Sequence, residues 1–431
     1  MRTPKQGPPP AMSSKHVAIV APPLPGHWDP LKILGKELVA RGHRITFLHM
    51  PDAARMLTGT PFAFEGVGAA RHGAGSLDLY MKRLAQAPSL VGFLPMVRAT
   101  AAISGMLLEA LPDALARIGA DAVLADSTEA AGGMAARRLG LPYITSITGL
   151  PLLRDPAVPP PYLSWNYRND AAGLKRNAGG YRVADLLMRP IQKVLDRYGD
   201  AWGLDGAEAE RGSPLLQVAQ CPPGLDFPRH DLPASLRYCG PFRSPVAAPV
   251  ELPQDGRPLV YCSLGSLQGN RPGLFAAMAG ACADVGARAV VATGGLLSEQ
   301  AARALPGDPI VGSFWPQPAV LPLCSAAILH GGFNTVLDAL GAGVPMLVAP
   351  LAFEQPGTAA RVVHAGAGRA LFRGRLTRKR LRDELGHLLS NPSYRQSAQR
   401  MGAGMASLGG ATNAADLIDR AFRTGKTPAI A

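Results

Sequence analysis

At 431 residues, with 47% apolar and 17% charged side chains, the chain is too long for one ordinary hydrophobic core and too apolar for a disordered one, so a globular protein of two domains is expected. Its 49 glycines and 41 prolines follow no collagen-like period, and no repeat of solenoid length is present, which excludes fibrous and repeat architectures. The formal net charge of +13 comes without a nucleic-acid-binding motif, so nucleic acid is not expected as a partner. Anionic substrates, anionic lipid or a compositional bias toward arginine would each account for the charge.

Five cysteines (Cys221, Cys239, Cys262, Cys282 and Cys324) are odd in number, far apart and without a CxxC or Cys/His set. Neither a disulfide framework nor a zinc site is expected, and a reducing cytoplasm fits. The opening MRTPKQGPPPAMSS has charge and proline but no apolar core, and reads as a disordered tail over residues 1–14, with Met12 as a second candidate start. No run is expected to reach the ~18 apolar residues of a membrane span.

In chain order, HVAIVA (16–21) reads as a strand, followed by a turn-rich PPLPGHWDP, a helix over 30–41 with Leu31, Leu34 and Leu38 on one face, and a second strand, HRITFLHM (43–50). DAVLADS (121–127), a helix to Leu139 and PYITSITG (142–149) continue the same alternation. The segment 222–257 is rich in proline and lacks periodicity, which suits a linker better than a core element. A second series begins at LVYCSLGS (259–266) and continues through RAVVATGG (288–295), AAILHGG (326–332) and VPMLVAP (344–350). The expected fold class is therefore α/β: an N-terminal parallel-sheet domain over 15–240, a linker over 241–257, and a C-terminal parallel-sheet domain over 258–431, with ligands at the carboxyl ends of the strands in the cleft between them. Six basic residues between Arg373 and Arg382 read as a solvated helix face or, more sharply, as a membrane-surface patch.

The densest chemistry lies at 314–355. The strand AAIL delivers His330, Gly331 and Gly332 into a tight turn, and Asn334 and Thr335 open the next helix. Glycines permit close backbone approach, and a helix start offers unpaired N–H groups at the positive end of its dipole, so this turn reads as a phosphate site with His330, Asn334 and Thr335 as added donors. Asp338, one turn on, suits ribose hydroxyls better than phosphate. A glycine-rich turn with a capping Asn is the bland alternative. In the N-terminal half, His27 follows the first strand and Asp126 ends another. A carboxylate on one imidazole nitrogen makes the other an oriented base, although a lone loop His is more often simply exposed. No GxGxxG is present, which counts against a nicotinamide oxidoreductase.

The pattern HGGxNTxxDALxxGVPxxxxPxxxEQ, with APPxxxH near the start, resembles the donor signature of family-one glycosyltransferases of GT-B fold, two Rossmann-like domains facing each other across a cleft, and the resemblance runs from about residue 15 to near the end. Within that family it is strongest toward the bacterial branch that glucosylates carotenoids. The resemblance implies that His330, Asn334 and Thr335, with the Gly331–Gly332 backbone, meet the phosphates of a UDP-sugar. It places Asp338 on the ribose, Glu354 and Gln355 on the sugar hydroxyls, Phe314 or Trp315 against the uracil with Gln317 nearby, and Ser263 and Ser266 over the phosphates from the opposite loop. It makes His27 the base and Asp126 its support. Two departures stand out: Glu354 where the family usually has Asp, and a stretch from Gln317 to His330 shorter than in plant relatives. The reaction implied by the resemblance is an inverting transfer of a hexose, glucose in the first instance, with the UDP-sugar as co-substrate, no cofactor and no metal. The acceptor would be a lipophilic alcohol such as the carotenoid zeaxanthin, and the enzyme cytoplasmic or peripheral on the inner membrane face. The methionine-bearing apolar segment 89–115 is a candidate acceptor wall or a set of core helices. Rival expectations are a transferase for soluble polyketide, macrolide or flavonoid-like aglycones, a nucleotide-sugar epimerase, and a nucleotide-sugar-binding protein without catalysis.

Overall fold

The computed structural model describes residues 14–86, 90–205, 212–244, 249–253, 255–372 and 374–429. The tail expected over 1–14 lies, apart from Ser14, outside them, as do parts of the linker.

Two parallel sheets form as the alternation requires. In the first, β1 (His16–Val20), β2 (Arg44–His49), β3 (Ala63–Gly66), β4 (Ala122–Asp126), β5 (Tyr143–Ile147), β6 (Gln217–Ala219) and β7 (Leu236–Tyr238) run in the order β3-β2-β1-β4-β5-β6-β7. In the second, β8 (Leu259–Ser263), β9 (Arg288–Ala292), β10 (Ile310–Gly312), β11 (Ala326–Leu329), β12 (Met346–Val348) and β13 (Gly368–Ala370) run β10-β9-β8-β11-β12-β13. Val17, Ala18, Ile19 and Val20 are fully buried, as a strand covered on both faces demands. Strand order reverses between β1 and β4 and again between β8 and β11. The chain leaves neighbouring strands in opposite directions at such a point, opening a crevice at their carboxyl ends.

Helix α1 (Pro25–Ala40) follows β1, starts a turn earlier than its apolar spacing predicts, and buries Trp28, Leu31, Leu34 and Leu38. Pro25, preset to helical φ, occupies the first turn, so His27 belongs to the helix and not to a loop. Helix α2 (Leu90–Ile118) takes the apolar 89–115 segment. From Gly92 to Ile118 it is long and apolar enough to cross a membrane by composition alone, yet Leu107, Leu108, Leu111 and Leu115 are wholly buried and Met96 and Met106 nearly so. Its methionines therefore pack the core instead of facing an acceptor. Helices α3 (Ala130–Leu139) and α4 (Ala171–Trp202) lie against it. In the second domain α5 (Phe333–Gly341) follows β11 and α6 (Gln355–His364) follows β12.

Two features depart from the reading of the sequence. Leu236–Tyr238, inside the proline-rich stretch, pairs with β6 as the sheet's edge strand. The last helix, α7 (Gly410–Thr424), expected with the C-terminal unit, crosses back and packs Ala411, Ala414, Ala415, Leu417 and Ile418 into the N-terminal core. There Asp416 pairs with Arg41 at 2.7 Å and Asp419 lies 3.5 Å from His43. An apolar helix stripe is the same whichever sheet it covers, so sequence alone does not choose the partner.

The domains are joined by a buried charge cluster. Asp226 accepts from Arg229 Nε (2.7 Å), Arg361 Nε (3.1 Å) and Tyr238 Oη (3.0 Å), and Arg229 also donates to the carbonyls of Leu153 and Pro151. Burial works against the charged carboxylate, but the two guanidiniums more than offset it and hold Asp226 below the usual carboxylate range. Removing one partner of such a cluster strands the others, so Asp226→Ala should cost about 3–5 kcal/mol in chemical denaturation. Because the folded pKa is depressed, Asp226's contribution is present above the ordinary Asp range and is lost as pH falls through the depressed value. Acid titration of stability should show a loss in the wild type that the variant lacks.

Candidate active site

Each crevice supplies one half of the site. At the β1/β4 switch, His27 lies in the first turn of α1 and Asp126 ends β4. His27 Nδ1 is 3.1 Å from Asp126 Oδ2 and 2.9 Å from Thr148 Oγ1, and Thr148 donates to the same Asp126 oxygen at 2.5 Å. Asp126 Oδ1 accepts from the Thr128 N–H (2.9 Å) and hydroxyl (2.6 Å). Since the single Thr148 proton goes to Asp126, the network assigns the imidazole proton to Nδ1. Nε2 is left with its lone pair and without a partner among the described residues. Burial disfavours the imidazolium, but the Asp126 charge, its hydrogen bond and the charge of Glu354 outweigh this and raise the His27 pKa above its ordinary value. The ring keeps 19% of its surface open toward the cleft.

At the β8/β11 switch, Gly331 turns the chain with φ +88°. The His330 ring sits between Gly265 and Gly332, where a Cβ on either would lie 2.6 or 2.4 Å from its Nε2. Burial pushes His330 down to about 4, so it is neutral near pH 7 and serves as a hydrogen-bonding group, not as a cation. Its Nδ1 is buried without a hydrogen-bond partner among the described residues. No side chain caps α5, whose first N–H groups point at the same turn. A buried unsatisfied ring nitrogen, an uncapped helix start and two obligatory glycines together make a cradle for an anion.

Other residues singled out by the sequence fall differently. Ser263 is buried, its hydroxyl accepting from Gly265 N–H (3.2 Å), while Ser266 lies exposed beside it. Of the two aromatics, Trp315 is fixed against the core by a bond from Nε1 to the Val291 carbonyl (3.0 Å), and Phe314, 71% exposed, is the ring left free. Gln317 is half-buried at the start of the next short helix. Thr335 is buried in the first turn of α5. The Asn334 side chain spans the cleft: Nδ2 donates to the Gly26 carbonyl (2.6 Å), and Oδ1 accepts from Gln220 (3.2 Å) and Arg243 (3.2 Å). Asp338 binds Arg243 Nε at 2.5 Å, and Arg243 also donates to Gln220 Oε1 and the Asn334 carbonyl. Gln355 Oε1 accepts from the N–H groups of Leu351 and Ala352, both 2.9 Å, so this amide oxygen shapes the loop before α6. That loop turns through Phe353 at φ +54° and presents Glu354 toward His27. Burial raises the Glu354 pKa, with the His27 charge opposing.

Thr148, Thr128, Gln220 and Arg243 carried no signal in the sequence. Thr128 lies beside Asp126 in the chain, Thr148 arrives because β4 and β5 are neighbours, Gln220 follows the end of β6, and Arg243 reaches the site because the linker folds back over α5.

The chain matches a family model described as UDP-glucoronosyl and UDP-glucosyl transferase over residues 224–403. It is similar to "Zeaxanthin glucosyltransferase" of Pantoea ananas, 34% identical with 95% of this chain and 97% of the relative covered, and of Pseudescherichia vulneris, 37% identical with 94% and 98% covered. Among solved structures it shares the fold of the glycotransferase of kitacinnamycin, at TM-score 0.75 and 23% identity over 95% of this chain and 99% of that one. The two switch-point crevices thus belong to a GT-B architecture, and the chain is a glycosyltransferase of the UDP-glucoronosyl and UDP-glucosyl transferase family.

Proposed function

We propose that the enzyme transfers a hexose, glucose in the first instance, from a UDP-sugar to the hydroxyl of a lipophilic acceptor, with a carotenoid such as zeaxanthin as the specific substrate, and that it works in the cytoplasm at the membrane face. The observation that carries the reading is the joining of the two crevices: the His27–Asp126 pair of one domain lies within one residue of the Gly26 carbonyl that binds Asn334 of the other. The two relatives named for zeaxanthin supply the acceptor class.

In this reading the uracil stacks on Phe314 near Gln317, and Asp338, held by Arg243, keeps one oxygen for the ribose. The pyrophosphate sits against the α5 start, the Gly331–Gly332 backbone, His330, Thr335 and the Ser263–Ser266 loop. Several direct hydrogen bonds are needed, because the helix dipole alone contributes only ~0.3–1 kcal/mol. Glu354 meets the sugar hydroxyls, with the second amide position of Gln355 beside it. His27 Nε2 takes the acceptor proton as the oxygen attacks the anomeric carbon, Asp126 stabilises the imidazolium, and UDP leaves from the opposite face with inversion. The charge on the leaving diphosphate is met by hydrogen-bond donors of the chain, and no divalent ion is required.

Incubation with UDP-glucose and detergent-dispersed zeaxanthin in EDTA should give one or two added hexoses by mass spectrometry. His27→Ala should lower turnover by about 10²–10⁴ while donor binding persists; near-normal turnover would remove His27 as the base. Binding without product would redirect the search to soluble aglycones.

The raised His27 pKa sets the sign of the pH response. The base must be neutral, so kcat/KM should fall as pH drops through a value above the ordinary histidine range. Asp126→Asn removes the main support of the charged ring, and should move that limb to lower pH as well as slow the reaction. An unmoved limb would assign the titration elsewhere.

Arg243→Met, which frees Asp338 from its cation, should raise the donor KM about tenfold with a smaller change in kcat. Arg243→Lys should recover part of the loss. Equal falls in kcat and kcat/KM would place Arg243 in the chemical step instead.

A further inference from the structure

Helix α4 divides by its 3.6-residue period into three faces. Ile191, Val194, Leu195 and Tyr198 pack on the N-terminal core. Tyr181, Ala184, Asp185, Met188 and Gln192 line a half-open cavity of about 250 Å³, bounded on its other side by Leu152, Pro160, Pro161, Tyr162 and by Arg154, which is ion-paired with Asp185. The cavity adjoins the site: the Pro161 carbonyl accepts from the Gly357 N–H (2.9 Å), three residues beyond Glu354, and Leu152 is four residues beyond Thr148.

The third face is uncovered. Val183 is 59% exposed, Leu186 66% and Leu187 39%, three aliphatic side chains within two turns. Arg182 and Arg189, four residues before and three after Leu186, flank it as helix neighbours, and Lys193 continues the same stripe four residues beyond Arg189, all three exposed. Among the described residues none of these three cations forms an ion pair with a carboxylate. The basic helix Arg378–Ser390 is different, for its Arg378, Lys379 and Arg382 are held by Asp284 and Asp383. Single exposed leucines are ordinary; an aliphatic cluster ringed by unpaired cations has the chemistry of a lipid-headgroup contact.

We infer that this face of α4 docks on an anionic bilayer and passes a lipophilic acceptor from lipid into the adjoining cavity. The inference rests on the lipophilic-acceptor reading above for the second half of its statement, but not for the docking itself. Charge complementarity selects anionic lipid over neutral lipid, because each unpaired cation near such a surface strengthens binding about fivefold. The size of the cavity supplies the second argument. At about 250 Å³ it falls below the ~300–1,000 Å³ that encloses a drug-sized ligand. A long apolar acceptor then leaves most of its length outside, where only lipid can cover it without the cost of exposing it to water.

The test is flotation of the full-length protein with vesicles of phosphatidylcholine alone or mixed with phosphatidylglycerol, at low and high salt. The wild type should float with the anionic vesicles, and less so as salt rises. Val183→Asp with Leu186→Asp should weaken binding by about tenfold or more, and so should Arg189→Glu with Lys193→Glu. Both double variants should keep donor binding and their turnover of detergent-dispersed acceptor within about twofold, while losing turnover of acceptor embedded in vesicles. Vesicle binding without any turnover of a carotenoid would keep the docking face and remove the acceptor. Failure of the wild type to bind anionic vesicles, or unchanged binding by both variants, would overturn the proposal. So would a shift from dimer to monomer in the Asp variant by light scattering, which would make the face a contact between two copies.

Discussion

The buried carboxylate of Asp226 lies between the guanidiniums of Arg229 and Arg361, and through them it couples the chain entering the linker to helix α6 of the second domain. A base on one sheet can act on an electrophile bound by another only if the two carriers are held to within a fraction of an ångström. Hydrophobic packing between domains is too undirected to do this, whereas a carboxylate that accepts from two guanidiniums and a phenol fixes direction as well as distance. Arg361 lies two turns along α6 from its start at Gln355, and the loop before that start carries Glu354. The charge cluster, the Gly357–Pro161 bond and the Asn334–Gly26 bond therefore bear on the same few residues at the mouth of the cleft.

Two histidines face that cleft, and opposite environments give them opposite protonation behaviour. His330 is enclosed by backbone and glycines with no carboxylate to favour its charge, so burial outweighs the one opposing contact, with the Ser263 backbone, and the ring stays neutral. His27 is also buried, but Asp126 and, from the other domain, Glu354 overcome that burial. A neutral imidazole can donate or accept a hydrogen bond without carrying charge, while a ring with raised basicity can take up a proton. The glycine pair packs around the His330 ring and holds it in place, while the Asp126–Thr148 network sets both the position and the tautomer of His27.

Asn334 and Asp338 illustrate how residues of one crevice are held from outside their own domain. Their side chains project from α5, but what they contact is Gly26, Gln220 and Arg243, all from the first domain or the linker. The linker is thus part of the site's wall, and its Arg243 favours the charged form of Asp338 against the burial that raises its pKa.

Much of this architecture is legible in the residues themselves. The two strand–helix series, the glycine turn at His330, the helix start at Asn334 and the strand-end position of Asp126 come from local patterning, because apolar periodicity and glycine placement are properties of short segments. Four things were decided only by tertiary structure. The pairing of His27 with Thr148 depends on β4 and β5 being neighbours, which no local pattern states. The choice of Phe314 over Trp315 as the free ring depends on the Trp315 indole finding a backbone carbonyl, that of Val291, to bond to. The return of α7 to the first domain, and the closing of Arg243 on Asp338, depend on where the chain can reach once both sheets exist, since an amphipathic stripe or a lone arginine is compatible with many partners until packing excludes all but one.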